Sequence, residues 1–319
     1  MIFRKDIKLM AFVASAMFWG SGNAADNSIY IDQSGDNSTI TMVQDGSGNK
    51  VKGILLNGTA GGTTDPAKLL GNAQTINIEQ TGANNVLALG INSTQGGSVT
   101  GFSNIGVNLK YQVTGGGNTG YININNNGQG TASGNVVDIR QDGGATATLN
   151  MTGSSNQLTV NTAGGAGNTF TGNINASETV AVINQTSGGG NQTTLDMTGT
   201  KGQVSVTSIG AANITNVTQS AYGTTGAIVL IDITGSGNQT NVTQSGSYDH
   251  YANIKLTSGS NDNVINLAQS GGAGTGHSAS LEVSGSLNTI GITQQGSVAN
   301  LINMKVSGNS NTYTILQKN

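Results

Sequence analysis

Five glutamines, at positions 219, 244, 269, 294 and 317, stand 25, 25, 25 and 23 residues apart, and an asparagine precedes each by six positions. Two further residues fall at alternate places in between, so that one copy reads Asn263, Ile265, Leu267, Gln269. Successive strand residues point to opposite faces, so a spacing of two keeps such a quartet on one face, where a helix would scatter it. Asn213 to Gln219, Asn238 to Gln244, Asn288 to Gln294 and Asn311 to Gln317 repeat the pattern. Earlier copies run from Asn27 to Gln33 and from Asn135 to Gln141; looser ones end on Gln44, Gln80 and Gln185.

A second alternating segment separates successive quartets: Val229, Ile231, Ile233 before Gly235; Ala252, Ile254, Leu256 before Gly259; Ala279, Leu281, Val283 before Gly285. Each unit of about 23 to 25 residues is therefore strand, turn, strand, turn, with Gly and Asn suited to the turns. One such unit cannot bury its apolar face, but a stack of them makes a continuous core. The pattern predicts an all-β fold, a flattened β-solenoid, irregular in the middle. Stacking aligns each inward amide with its counterpart about 4.8 Å away, so the Asn and Gln of the quartets are expected to form side-chain ladders.

The most regular repeats span 213–319. Upstream, Gln80, Gln141, Gln185 and Gln219 are separated by 61, 44 and 34 residues, and residues 53–73, which hold the only proline, Pro66, read as an inserted loop. Residues 25–319 are expected to form one repeat domain. Residues 1–24 read as a secretory signal: Arg4, Lys5 and Lys8, a short apolar run, then Gly22 and Ala24 before the cut. That run is shorter than the roughly 20 residues of a membrane span, and no stable insertion is expected once it is removed. What remains carries 9 Lys and Arg against 14 Asp and Glu, net −5, which offers no basic footprint for nucleic acid. With no cysteine, stability does not rest on disulfides.

The sequence holds no motif that carries catalysis, a metal or a cofactor. His250 and His277, the only histidines, lie in Gly- and Ser-rich stretches and read as exposed loop residues. GGAGTG at 271–276 lacks the Lys of a phosphate loop.

The motif NxxxxxQxG, with Asn27, Gln33, Gly35 and Asn37 followed by Gln44 eleven residues after Gln33, resembles the curlin repeat of curli-like amyloid fibre subunits. Its NxxxxxQ half recurs through most of residues 25–319; the second Gln is usually replaced by an apolar strand such as NIKL or SLEV. The resemblance implies a secreted functional amyloid of a biofilm matrix or adhesive, pilus-like surface fibre. It also implies a nucleating subunit and an outer-membrane export channel as partners. The quartets start three residues after Ala24 and end two residues before Asn319, so neither end is expected to carry a cap. Open strand edges recruit other chains. The sequence thus leads to a non-enzymatic structural subunit that polymerises with itself through its terminal coils. A solenoid adhesin, a phage fibre or a minor nucleating component is the alternative.

Overall fold

The computed structural model describes residues 27–34, 39–54, 62, 65–70, 75–91, 108–125, 136–140, 142, 144–152, 156–163, 167–172, 174–186, 188–221, 227–271 and 276–319. These residues form strands and turns without a helix, and every strand pairing is parallel. The chain winds as a β-solenoid: each coil lays one strand on a first sheet and one on a second, with the apolar core between. On the first sheet one register column runs Ser28, Lys50, Val86, Thr119, Thr146, Thr169, Gln192, Ile214, Gln239, Val264, Thr289, Thr312. On the second, Val136, Gln157, Val180, Gln203, Ile228, Tyr251, Ser278 and Leu301 stand in register. The long strand Gln192–Gln203 turns the corner, with its first half in one sheet and its second half in the other.

Burial alternates as the pleat demands. In Ser278–Ser284, Ala279, Leu281 and Val283 are buried between partly exposed neighbours. Stacking places like on like, and where sizes differ the opposite sheet compensates. Gly120 stands between Leu87 and Ala147 in its column, and the buried ring of Tyr111 fills the space a Cβ would take there. On the outer face of the second sheet, Lys255 lies opposite Glu282, and Glu282 opposite Lys305. Lys255 approaches Asp232 at 3.8 Å and Lys305 approaches Glu282 at 2.8 Å. The Lys305 hydrogen bond and charge hold the Glu282 carboxyl below its ordinary range. Alternating charge in adjacent strands penalises any slip of register.

Residues 53–73 differ from their reading as a loop. Ala67–Leu70 is a strand paired with Ile31–Ser34, and Leu69 is fully buried. It continues the strand Lys50–Lys52: Val51 and Lys52 pair with Leu87 and Ala88, then Lys68 and Leu69 pair with Gly90 and Ile91. The insertion therefore interrupts a strand and rejoins it, closed at the neck by Gly53 N–H donating to the Asp65 carbonyl at 2.7 Å. Cutting the alternation in half hid it in the sequence. The signal reading of 1–24 lies outside the described residues.

Candidate functional site

The first ladder is built from asparagine at the start of each first-sheet strand. Asn238 shows the pattern: its Oδ1 accepts from the backbone N–H of Asn263 at 3.1 Å and from Asn263 Nδ2 at 2.9 Å. Its own Nδ2 donates back to Asn213 Oδ1 at 3.1 Å and forward to the Ser260 carbonyl in the next coil's turn at 2.8 Å. The Asn238 amide is thus met by both neighbours, as a low-dielectric core requires of a buried amide; at Asn85 the Nδ2 has no such partner. The same backbone-to-Oδ1 bond joins Asn27 to Asn49, Asn49 to Asn85, Asn85 to Asn118, and Asn168 through Asn191, Asn213, Asn238, Asn263 and Asn288 to Asn311. Only Ala145 breaks the side-chain series, and its N–H still donates to Asn118 Oδ1 at 2.9 Å.

The local cause is a left-handed residue directly before the ladder position. Gly48, Asn84, Gly117, Gly167, Gly190, Ala212, Gly237, Asp262, Leu287 and Ser310 all have φ between 53° and 82°. That kink ends the turn and turns the following side chain into the core.

The glutamines form a second ladder, but over part of the stack. Gln219 Nε2 donates to Gln244 Oε1 at 3.0 Å, Gln244 to Gln269 at 2.8 Å, Gln269 to Gln294 at 2.8 Å, and Gln294 to Gln317 at 2.9 Å. Their amides also reach the opposite sheet: Gln269 Nε2 donates to the Tyr251 carbonyl at 2.9 Å and Gln294 Nε2 to that of Ser278 at 3.0 Å. Below Gln219 the column continues with Met197, which carries no amide. Farther down, Met151, Ile124, Ile91 and Leu69 take the place, and Gln33 returns at the first strand.

Gln44, Gln80 and Gln185 belong to the second sheet. Gln80 Nε2 donates to Gln44 Oε1 at 2.5 Å, and Gln185 Oε1 accepts from Thr193 Oγ1 across the core at 3.2 Å. The quartet glutamines therefore fall on opposite sheets and do not share one column. The 34-residue step from Gln185 to Gln219 is a coil and a half, at which the quartet changes sheets. Asn135 and Gln141 lie outside the described residues.

Sequence reasoning missed Asn49, Asn85, Asn118, Asn168 and Asn191, because no glutamine follows them at the quartet spacing. The Gly-Asn pairs 48–49, 117–118, 167–168 and 190–191, each opening an alternating stretch, are the signal that could have found them. It also missed an outer ladder, in which Asn216 Nδ2 donates to Asn241 Oδ1 at 2.8 Å and Asn241 Nδ2 to Asn266 Oδ1 at 2.7 Å.

The histidines are not exposed loop residues. His250 and His277 are each 1% exposed, with ring centroids 5.2 Å apart and planes within 13° of parallel. Coil stacking, invisible in their Gly- and Ser-rich surroundings, covers them. Among the described residues no three His, Cys, Asp or Glu side chains gather as a metal site.

No family model, curated protein or solved structure matches this chain.

Proposed function

We propose that the protein is a secreted structural subunit that polymerises end to end into an amyloid-like extracellular fibre. The observation that carries this reading is the match, at three of four positions, between the inward quartets on the outermost described strands. At one end of the stack Asn27, Ile29, Ile31 and Gln33 stand at the register positions held at the other by Asn311, Tyr313, Ile315 and Gln317. Within its own molecule Gln33 stacks on Leu69; a second copy would offer it Gln317. Among the described residues Thr312–Lys318 pairs with Thr289–Gly296 alone, and Leu316 and Leu301 are 65% and 71% exposed. Parallel in-register stacking gives every coil the same donors and acceptors, so an added coil meets the bonds that join the coils already present. Such fibres suit a biofilm matrix or surface adhesion.

The test is dilution of the chain from denaturant, followed by thioflavin fluorescence with and without seeds. Seed-accelerated filaments with a cross-β reflection near about 4.8 Å are expected. A monomer indifferent to seeds sinks the reading.

A second reading, a solenoid adhesin, is favoured by the two edges of the stack. Connections from the second sheet to the first are short turns such as 234–237 and 284–287, whereas those from the first to the second include the longer segments 92–107 and 126–135. Long connections on one side of a repeat stack are a common form of binding face in repeat proteins. Saturable binding of a surface ligand without filaments would choose this reading.

A further inference from the structure

Where first-sheet strands begin with asparagine, two second-sheet coils use histidine for the same task. His250 Nδ1 accepts the backbone N–H of His277 at 3.0 Å, and His277 Nδ1 accepts that of Asn300 at 3.1 Å. These bonds match those from Asn Oδ1 to the next backbone N–H, such as Asn238 to Asn263 at 3.1 Å. The other ring nitrogens lie 2.9 Å from backbone carbonyls, His250 Nε2 from Ser245 and His277 Nε2 from Ser270. A carbonyl can only accept and a backbone N–H can only donate, so both rings are neutral, with the proton on Nε2. Asparagine keeps its acceptor at every ordinary pH. Imidazole does not.

We propose that His250 and His277 form an acid-sensitive latch between successive coils of the C-terminal stack, which opens when a ring gains its second proton. Protonation turns Nδ1 from acceptor to donor and sets it against a backbone N–H that then has no acceptor. It also places positive charge in a buried column, 5.2 Å from the other ring.

Few groups oppose this. Asp249 stands beside His250 in the turn and favours the charged form, as does the Ser245 carbonyl. Tyr248 and Tyr251 flank it along the chain. Ala227–Ile228 bonds through the Ile228 N–H to the His250 carbonyl; Gln239–Gly246 and Val264–Gly271 present Ser245 and Ser270; the charges of Lys255 and Glu282 lie farther along, on the outer face. Burial outweighs the two favouring groups and holds the His250 ring below the usual imidazole range. The closed state therefore binds fewer protons than the open one. Its stability is complete above the open-state value of about 6.5 and declines as pH falls below it.

Hydrogen exchange on the full chain, as monomer or filament, tests the latch at about pH 7.5 and about pH 5, where free imidazole is first neutral and then charged. After correction for intrinsic exchange, the His277 amide should lose up to about thirtyfold in protection at the lower pH, while the Asn263 and Asn288 amides, held by asparagine, keep theirs. Equal change in both sets, or none in either, overturns the latch. The double variant His250→Asn/His277→Asn keeps an acceptor that does not titrate. Its denaturation midpoint should stay level between the two conditions while that of the parent drops; a parallel drop in the variant also overturns the proposal. If the variant does not fold, the exchange measurement on the parent decides.

Discussion

The stack from Ile214 to Lys318 and the stack from Val86 to Met197 share one backbone register but fill it differently. In the first, five glutamines close the inward face of the first-sheet strands; in the second, Ile91, Ile124 and Met197 take that place. Both keep the asparagine ladder. Glutamine is therefore one of two solutions at its position, since an apolar column needs no partner and an amide column is satisfied only when continuous. Among the described strands asparagine is replaced once, by Ala145, and elsewhere it holds both the backbone of the next strand and the turn beyond.

The largest effect expected from breaking this comparison is on the shared ladder. Asn263→Leu removes the acceptor of the Asn288 backbone and side-chain N–H groups and should cost about 3 kcal/mol in denaturant unfolding. A loss no greater than that of an exposed-site change would deny the ladder its role.

Gln269→Met, which imports the solution of the middle coils into one site, strands the amides of Gln244 and Gln294 and should cost about 2 kcal/mol. Exchanging Gln219, Gln244, Gln269, Gln294 and Gln317 together for isoleucine should cost less than that single change. Strictly additive losses would show the two solutions are not equivalent.

Thr240 is buried in a column between Thr215 and Ile265, and its Oγ1 has no hydrogen-bond partner. Thr240→Val extends the isoleucine column and should raise stability by about 1 kcal/mol, read from the denaturation midpoint. The smallest effect belongs to the turn. Leu287 occupies the left-handed position at φ 60°, where Gly237 stands two coils earlier at 69°. Leu287→Gly relieves that strain and should gain about 0.5 kcal/mol, net of the chain entropy glycine adds; a loss would mean that the half-exposed leucine packs more than it strains.

Much of the fold was legible in the residues. Spacing of two within the quartets and about 25 between them fixes strand, face and stacking, because pleat and coil closure are local properties of chain geometry. The Asn and Gln of the C-terminal quartets, from Asn213 to Gln317, could be assigned to ladders on that basis alone.

Other features depended on which coil lies against which. The strand Ala67–Leu70 is recognisable only beside Ile31–Ser34, because the insertion separates it from the half strand it completes. The quartet of Gln185 looks like that of Gln219, and only winding places them on opposite sheets. His250 sits among polar neighbours in the sequence, and its burial comes from His277, 27 residues away. Periodicity within the chain determined that this protein stacks. Contacts between coils, separated by a full turn of sequence, decided which amides meet, which sheet carries them and which acceptors respond to acid.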